Sequence, residues 1–173
     1  RQAVFPARFQ LIAAMNPCPC GYLGDARGRC RCTEEQVARY RSRLSGPLLD
    51  RIDLHVEVPA VKTEALGDAA PAGESSQAVR ERVAAARARQ LARQDKPNAA
   101  LNQRETTRLC AVKPAVRDLV LQAMERLGLS ARAYHRLLRL ARTIADLDES
   151  DIITARHMSE AIHFRLLDRQ PIR

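Results

Sequence analysis

The sequence predicts a mostly helical chain: a small α/β part of two short strands, one helix and a Cys-rich loop comes first, and an all-α bundle follows. Three observations carry this. Two apolar segments of strand length lie before residue 60, and the segments from residue 76 onward repeat apolar residues at helical spacing between Pro, Gly and capping residues. Aromatic residues are only 3% of the 173 and Trp is absent, so a core must come from Leu, Ile, Val and Ala, which suits packed helices.

In chain order, Phe9 to Met15 (FQLIAAM) is a nearly continuous apolar run that stops at Asn16-Pro17, as a buried strand of an α/β sheet does. Residues 17–32 are dense in Cys, Gly, Pro and Arg and predict a loop. Thr33 followed by Glu34, Glu35 and Gln36 is a helix start with acids on the first turn, and the helix should fade by Ser45-Gly46-Pro47. Ile52 to Val58 (IDLHVEV) alternates apolar and polar residues before Pro59, as a half-buried strand does, and is expected to join the first sheet. Residues 60–75 are small, polar and broken by Gly and Pro, a linker composition.

Beyond the linker the sequence predicts helices only: Ser76 to Gln94, Asn102 to Cys110, Pro114 to Leu127, Ser130 to Leu147, and a last one from Thr154 to about Leu167. In the fourth, Leu137, Leu140, Ala141 and Ile144 form the buried stripe. The expected domains are therefore 1–59, a linker 60–75, and a helical domain 76–173.

The net charge of +9 is unevenly placed, with 10 basic and 9 acidic residues in 1–75 against 19 and 11 in 76–173. That excess favours an anionic partner, nucleic acid or nucleotide phosphate, or else forms a solvated basic face. No run approaches the roughly 18 apolar residues of a membrane span, so no membrane partner is expected. A start at Arg1 without Met or leader reads as a piece of a longer protein with a cytoplasmic setting.

Cys18-Pro19-Cys20 and Cys30-Arg31-Cys32 place two C-x-C pairs in one loop. Four thiolates can close a tetrahedron around zinc, while two disulfides, free thiols or a redox pair are the competing readings. A closed zinc site would stiffen the loop and aim Arg27, Arg29 and Arg31 outward. Cys110 stands alone in a helix and reads as packing, and His135 as a surface residue.

The strings AAMNPCPCG, CRC, YRSRLSGPLLDRIDLHVEVP and SARAYHRLLRLARTIADL together resemble the magnesium-chelatase-like AAA+ ATPase family associated with bacterial competence, and more distantly the magnesium-chelatase subunits and minichromosome maintenance helicases. The resemblance covers essentially the whole chain. It implies that residues 1–59 are the end of an AAA+ α/β core, that residues 76–173 are the helical lid, and that the intact protein is an ATP-driven ring, expected to be hexameric, acting on DNA with ATP and magnesium.

By that resemblance Asn16 falls at sensor 1, where a strand-end amide can reach the γ-phosphate; its plain reading is a turn-forming Asn before Pro. Arg51 falls at the arginine finger, reaching a neighbouring subunit's site, or else pairs with Asp50 or Asp53. Arg132, in the first turn of the helix capped by Ser130, falls at sensor 2, or else shares a solvated stripe with Arg136 and Arg139.

No G-x-x-x-x-G-K-[ST] loop and no apolar strand ending in Asp-Glu occurs in the chain, and the family places both upstream, so this chain alone is expected to be inactive as an ATPase. Two other readings remain beside the DNA motor: a metal-chelatase-type motor acting on a protein or tetrapyrrole pathway, and a zinc-stabilised basic DNA-binding module without ATPase activity. The helical half could also serve mainly as a protein docking surface.

Overall fold

A computed structural model describes residues 3, 9–25, 27–59, 61 and 73–165. The described residues fall into two compact units divided between Leu44 and Ser45.

The first unit contains the Cys-rich loop and α1 (Glu34–Arg41). α1 begins where the sequence says it should. The Thr33 hydroxyl accepts from the Gln36 N–H at 3.3 Å and the Gln36 side chain accepts from the Thr33 N–H at 3.0 Å, a reciprocal cap. Arg41 donates to the Pro17 carbonyl at 3.4 Å and so ties the helix to the loop. Among the described residues of this unit only Cys18 and Val37 are buried, so almost no apolar core holds it.

The second unit is helical: α2 (Gly46–Leu49), α3 (Ser76–Gln94), a single 3-10 turn (Asn98–Ala100), α4 (Gln103–Leu109), α5 (Pro114–Leu127), α6 (Ala131–Leu147) and α7 (Ala155–His163). The bounds follow local chemistry. Ser75 caps α3, and α3 stops at Asp95, whose left-handed backbone (φ 56°) ends the helical hydrogen bonding. Asn102 and Glu105 form a capping box for α4. Pro114 starts α5 and Gly128, at φ 54°, closes it in the left-handed conformation that glycine adopts without steric cost.

α6 is the central helix, packed on α3, α4, α7 and the 3-10 turn, while α5 packs on α7. Leu137, Leu138, Ala141, Ile144 and Ala145 of α6 meet Val116 and Val120 of α5, Met158 and Ala161 of α7, and Leu101, Cys110 and Ile153. Leu140 packs partly buried against the same core, so the whole expected stripe of α6 faces inward. Cys110 is fully buried there, and burial pushes its thiol up to about 11, as befits a packing residue.

A buried polar knot locks α6 to α3. Asp146, 2% exposed, accepts from Arg93 at 2.6 and 2.9 Å, from Asn98 at 2.8 Å and from Arg142 at 3.2 Å. Arg142 also donates to the Asp151 and Ser150 carbonyls, so the turn after α6 is held from inside the core. Burial would raise the Asp146 carboxyl, but the donors outweigh it and hold it below the usual carboxylate range.

The mostly helical expectation holds, and the two strands require correction. Neither Phe9–Met15 nor Ile52–Val58 belongs to a sheet among the described residues, where the single β-bridge joins Val112 and Ile153. A strand is defined by ladder bonds to neighbours, and neither segment has one beside it. Their apolar side chains stand in solvent instead, with Ile12 84% and Val58 84% exposed. The second segment docks on the bundle through the His55 N–H, which donates to the Phe164 carbonyl at 2.9 Å, and through Arg165 and Arg136, which donate to the Ile52 carbonyl and to Asp53. The expected linker 60–75 lies almost entirely outside the described residues, as does the end of the last helix beyond 165.

Candidate functional site

The second unit brings the segment carrying Arg51 onto the start of the helix carrying Arg132. Ser45 caps α2, its hydroxyl accepting from the Leu48 N–H at 3.3 Å, and Pro47 stiffens the first turn. Asp50 and Arg51 follow directly. The Asp50 carboxylate accepts from the Ser130 hydroxyl at 3.2 Å on both oxygens, and from Arg165 at 3.4 Å. Ser130 is the N-cap of α6, its oxygen also accepting from the Ala133 N–H at 3.3 Å. Arg136, one turn on, donates to the Arg51 carbonyl at 2.5 Å and to Asp53 at 2.8 Å. Arg165, 1% exposed, donates to the Ile52 carbonyl.

These bonds dispose of both acids beside Arg51. Asp50 is taken by Ser130 and Arg165, Asp53 by Arg136, and the Arg51 guanidinium donates only to the Pro47 carbonyl, at 2.7 Å, among the described residues. Arg51 is exposed and pairs with no carboxylate there.

Arg132 is separated from its neighbours in the same way. Arg136 is engaged as described, Arg139 donates to the Leu101 carbonyl at 3.1 Å, and Arg142 is buried on Asp146. Arg132 alone of these four is exposed without a polar partner among the described residues. It occupies the second position of α6, where free N–H groups and the helix dipole already favour an anion. The basic stripe therefore resolves into three internal ties and one free guanidinium.

Asn16 belongs to the first unit. It is exposed at the mouth of the Cys-rich loop, and Gly21 passes close to it: a Cβ on Gly21 would stand 3.7 Å from the Asn16 carboxamide.

Within that loop the four cysteine sulfurs lie within 4.8 Å of one another. Cys18 and Cys20 are 3.3 Å apart, Cys18 and Cys30 3.8 Å, and Cys20 and Cys30 3.6 Å. Backbone N–H groups of Tyr22 and Arg31 point at the Cys20 sulfur and lower that thiol to about 6. Asp25 organises the far turn, accepting from the Arg27 N–H at 3.1 Å and the Arg29 guanidinium at 2.9 and 3.0 Å. Arg29 lies 4.3 Å over the Tyr22 ring and holds Asp25 down to about 2, so all three loop arginines are exposed and Arg29 is the one tied to its neighbours.

The sequence offered no sign of the part played by Asp50, Ser130, Arg136 and Arg165 in seating Arg51. Asp50 had stood only as a partner for Arg51 itself. The one signal was Ser130 as a helix cap, which says nothing about a residue 80 positions earlier.

Residues 73–165 match the family model described as magnesium chelatase, subunit ChlI C-terminal, and residues 1–66 match the model described as magnesium chelatase, subunit ChlI. The chain is 49% identical over 166 residues to the uncharacterized protein YifB of Escherichia coli, covering 95% of this chain and 32% of that protein. It is 44% identical over 165 residues to the competence protein ComM of Haemophilus influenzae, with coverage of 95% and 32%. An uncharacterized protein of Mycobacterium bovis is 39% identical over 150 residues, 84% of this chain and 29% of that protein. The chain thus spans about a third of the length of these relatives.

Proposed function

The chain belongs to the magnesium-chelatase-like ChlI family of AAA+ ATPases associated with bacterial competence, and on that premise we propose that it supplies the charge-sensing parts of an ATP-driven ring that moves on or remodels DNA. In this reading Arg51 is the finger that enters a neighbouring subunit's nucleotide site, Arg132 is the lid arginine that contacts nucleotide phosphates, and Asn16 is the amide that reaches the γ-phosphate or the attacking water.

One observation carries it: Arg51 and Arg132 are exposed and free of carboxylates among the described residues, while the acids and arginines around them are tied to one another. Both are open to a group that arrives from outside, as are other exposed arginines such as Arg87 and Arg117, and a guanidinium presented to a phosphoryl group stabilises charge that develops in transfer.

ATP with magnesium supplies the energy when bound. The chain's own groups contribute positive charge and orientation: Arg51 held at the end of α2, Arg132 presented at the N-terminus of α6, and the docking of one on the other through Asp50 and Ser130. The basic excess of residues 76–173 supports a polyanionic partner, and the competence relative favours DNA as that partner. Ring assembly follows from the finger, which has no use inside its own subunit.

The test is ATP hydrolysis by the full-length protein with and without DNA. DNA-stimulated turnover is expected, with none from this chain alone, which contains no phosphate-binding loop sequence. Turnover indifferent to DNA contradicts the DNA-motor reading.

A further inference from the structure

We propose that Cys18, Cys20, Cys30 and Cys32 bind one zinc ion as a closed tetrahedral site, and that this ion is the core of the first unit. The inference stands independently of the nucleotide reading.

The spacing of the sulfurs is the first ground. Zinc–sulfur bonds of about 2.3 Å in a tetrahedron put sulfurs roughly 3.8 Å apart. The observed separations of 3.3, 3.6 and 3.8 Å are near that edge length, and all four sulfurs fall within 4.8 Å. A disulfide requires about 2.05 Å and joins sulfurs in pairs, whereas here Cys18, Cys20 and Cys30 each approach the other two.

The backbone around the sulfurs is the second. The Asp25 N–H bonds to the Tyr22 carbonyl and the Gly28 N–H to the Asp25 carbonyl, both at 3.0 Å, so the chain folds back on itself between the two pairs. Gly21, at φ 82°, turns the chain straight after the first pair, and its N–H bonds to the Cys18 carbonyl at 3.0 Å.

The third ground is what the unit lacks. Apart from Cys18 itself, Val37 is its only buried residue among those described, and the loop has no regular secondary structure before Glu34. Small units with almost no apolar core draw their order from cross-links such as a bound metal or disulfides, or from association with other parts. An ion bound by both C-x-C pairs closes the loop at its two ends, next to Thr33 and α1. With four protein ligands no position is open, so the ion's role is structural; binding releases to solvent the protons that the thiols carry.

Metal analysis of the whole chain purified without chelator decides the matter. About one zinc per chain is expected, and exchange for cobalt should give the sulfur-to-cobalt charge-transfer absorption and intense visible bands of a tetrahedral thiolate site. Cys20→Ser should lose the metal, whereas Cys110→Ala, in the helical core, should retain it. Should Cys20→Ser fail to fold, thiol titration of the native wild-type chain serves in its place: chelation should expose four additional reactive thiols. Four thiols that titrate freely before chelation, two disulfides in the purified chain, or iron in place of zinc would each overturn the proposal.

Discussion

The Ser130 hydroxyl donates to the Asp50 carboxylate at 3.2 Å while its oxygen accepts the Ala133 N–H at 3.3 Å. One side chain thus caps the helix that presents Arg132 and holds the residue before Arg51. α6 is tied to the segment carrying Arg51 both by that hydroxyl and by Arg136, which donates to the Arg51 carbonyl and to Asp53. On the proposed roles, these ties join the two arginines that meet nucleotide.

Breaking the tie between Ser130 and Asp50 should weaken that join. Ser130→Ala removes a helix cap and should destabilise the bundle by about 1 kcal/mol. In the full-length protein, Asp50→Asn, which keeps the shape and removes the charge that Ser130 and Arg165 address, is expected to lower kcat with little change in the KM for ATP. A rise in KM with kcat intact would place Asp50 in nucleotide binding instead.

Arg132 and Arg139 differ only in their surroundings, one free and one engaged with the Leu101 carbonyl. Arg132→Ala should weaken nucleotide binding by the full-length protein while leaving the thermal midpoint unchanged. Arg139→Ala should do the reverse. Equal effects on both quantities would show a common solvated stripe.

The Asp146 knot should dominate the stability of the bundle. Asp146→Ala leaves the buried Arg142 without its acid, a loss of about 3–5 kcal/mol by denaturant unfolding. Because the folded carboxyl sits below its ordinary value of about 3.9, the unfolded chain binds more protons as the medium turns acid. Its contribution is therefore full above that value and is lost as pH falls through the lowered folded pKa. Wild-type stability should fall in that window, and the fall should be smaller in Asp146→Ala.

The helices were legible because their ends are chemical. Thr33 with Gln36, Ser75, Asn102 with Glu105, and Pro114 with Gly128 mark boundaries by local hydrogen bonding or backbone preference, which a sequence carries in full. The cysteine cluster was legible from two close pairs in one loop. Phe9–Met15 and Ile52–Val58 read as strands because apolar runs report a tendency to be buried, and no ladder partner lies beside them among the described residues. The seat of Arg51 was hidden since Asp50 meets Ser130 and Arg165 only after the bundle forms, across 80 and 115 positions. No local pattern encodes such a pairing.

The central claim is that Arg51 completes a site on another subunit. Its most direct test mixes two inactive full-length proteins: Arg51→Ala, expected to lose about 10³ in turnover, and a variant whose phosphate-binding loop is disabled. Each mixed junction can join an intact nucleotide site to an intact Arg51, so the account predicts that ATPase activity reappears on mixing. A mixture as inactive as its components, under conditions where the two proteins co-assemble, would contradict it.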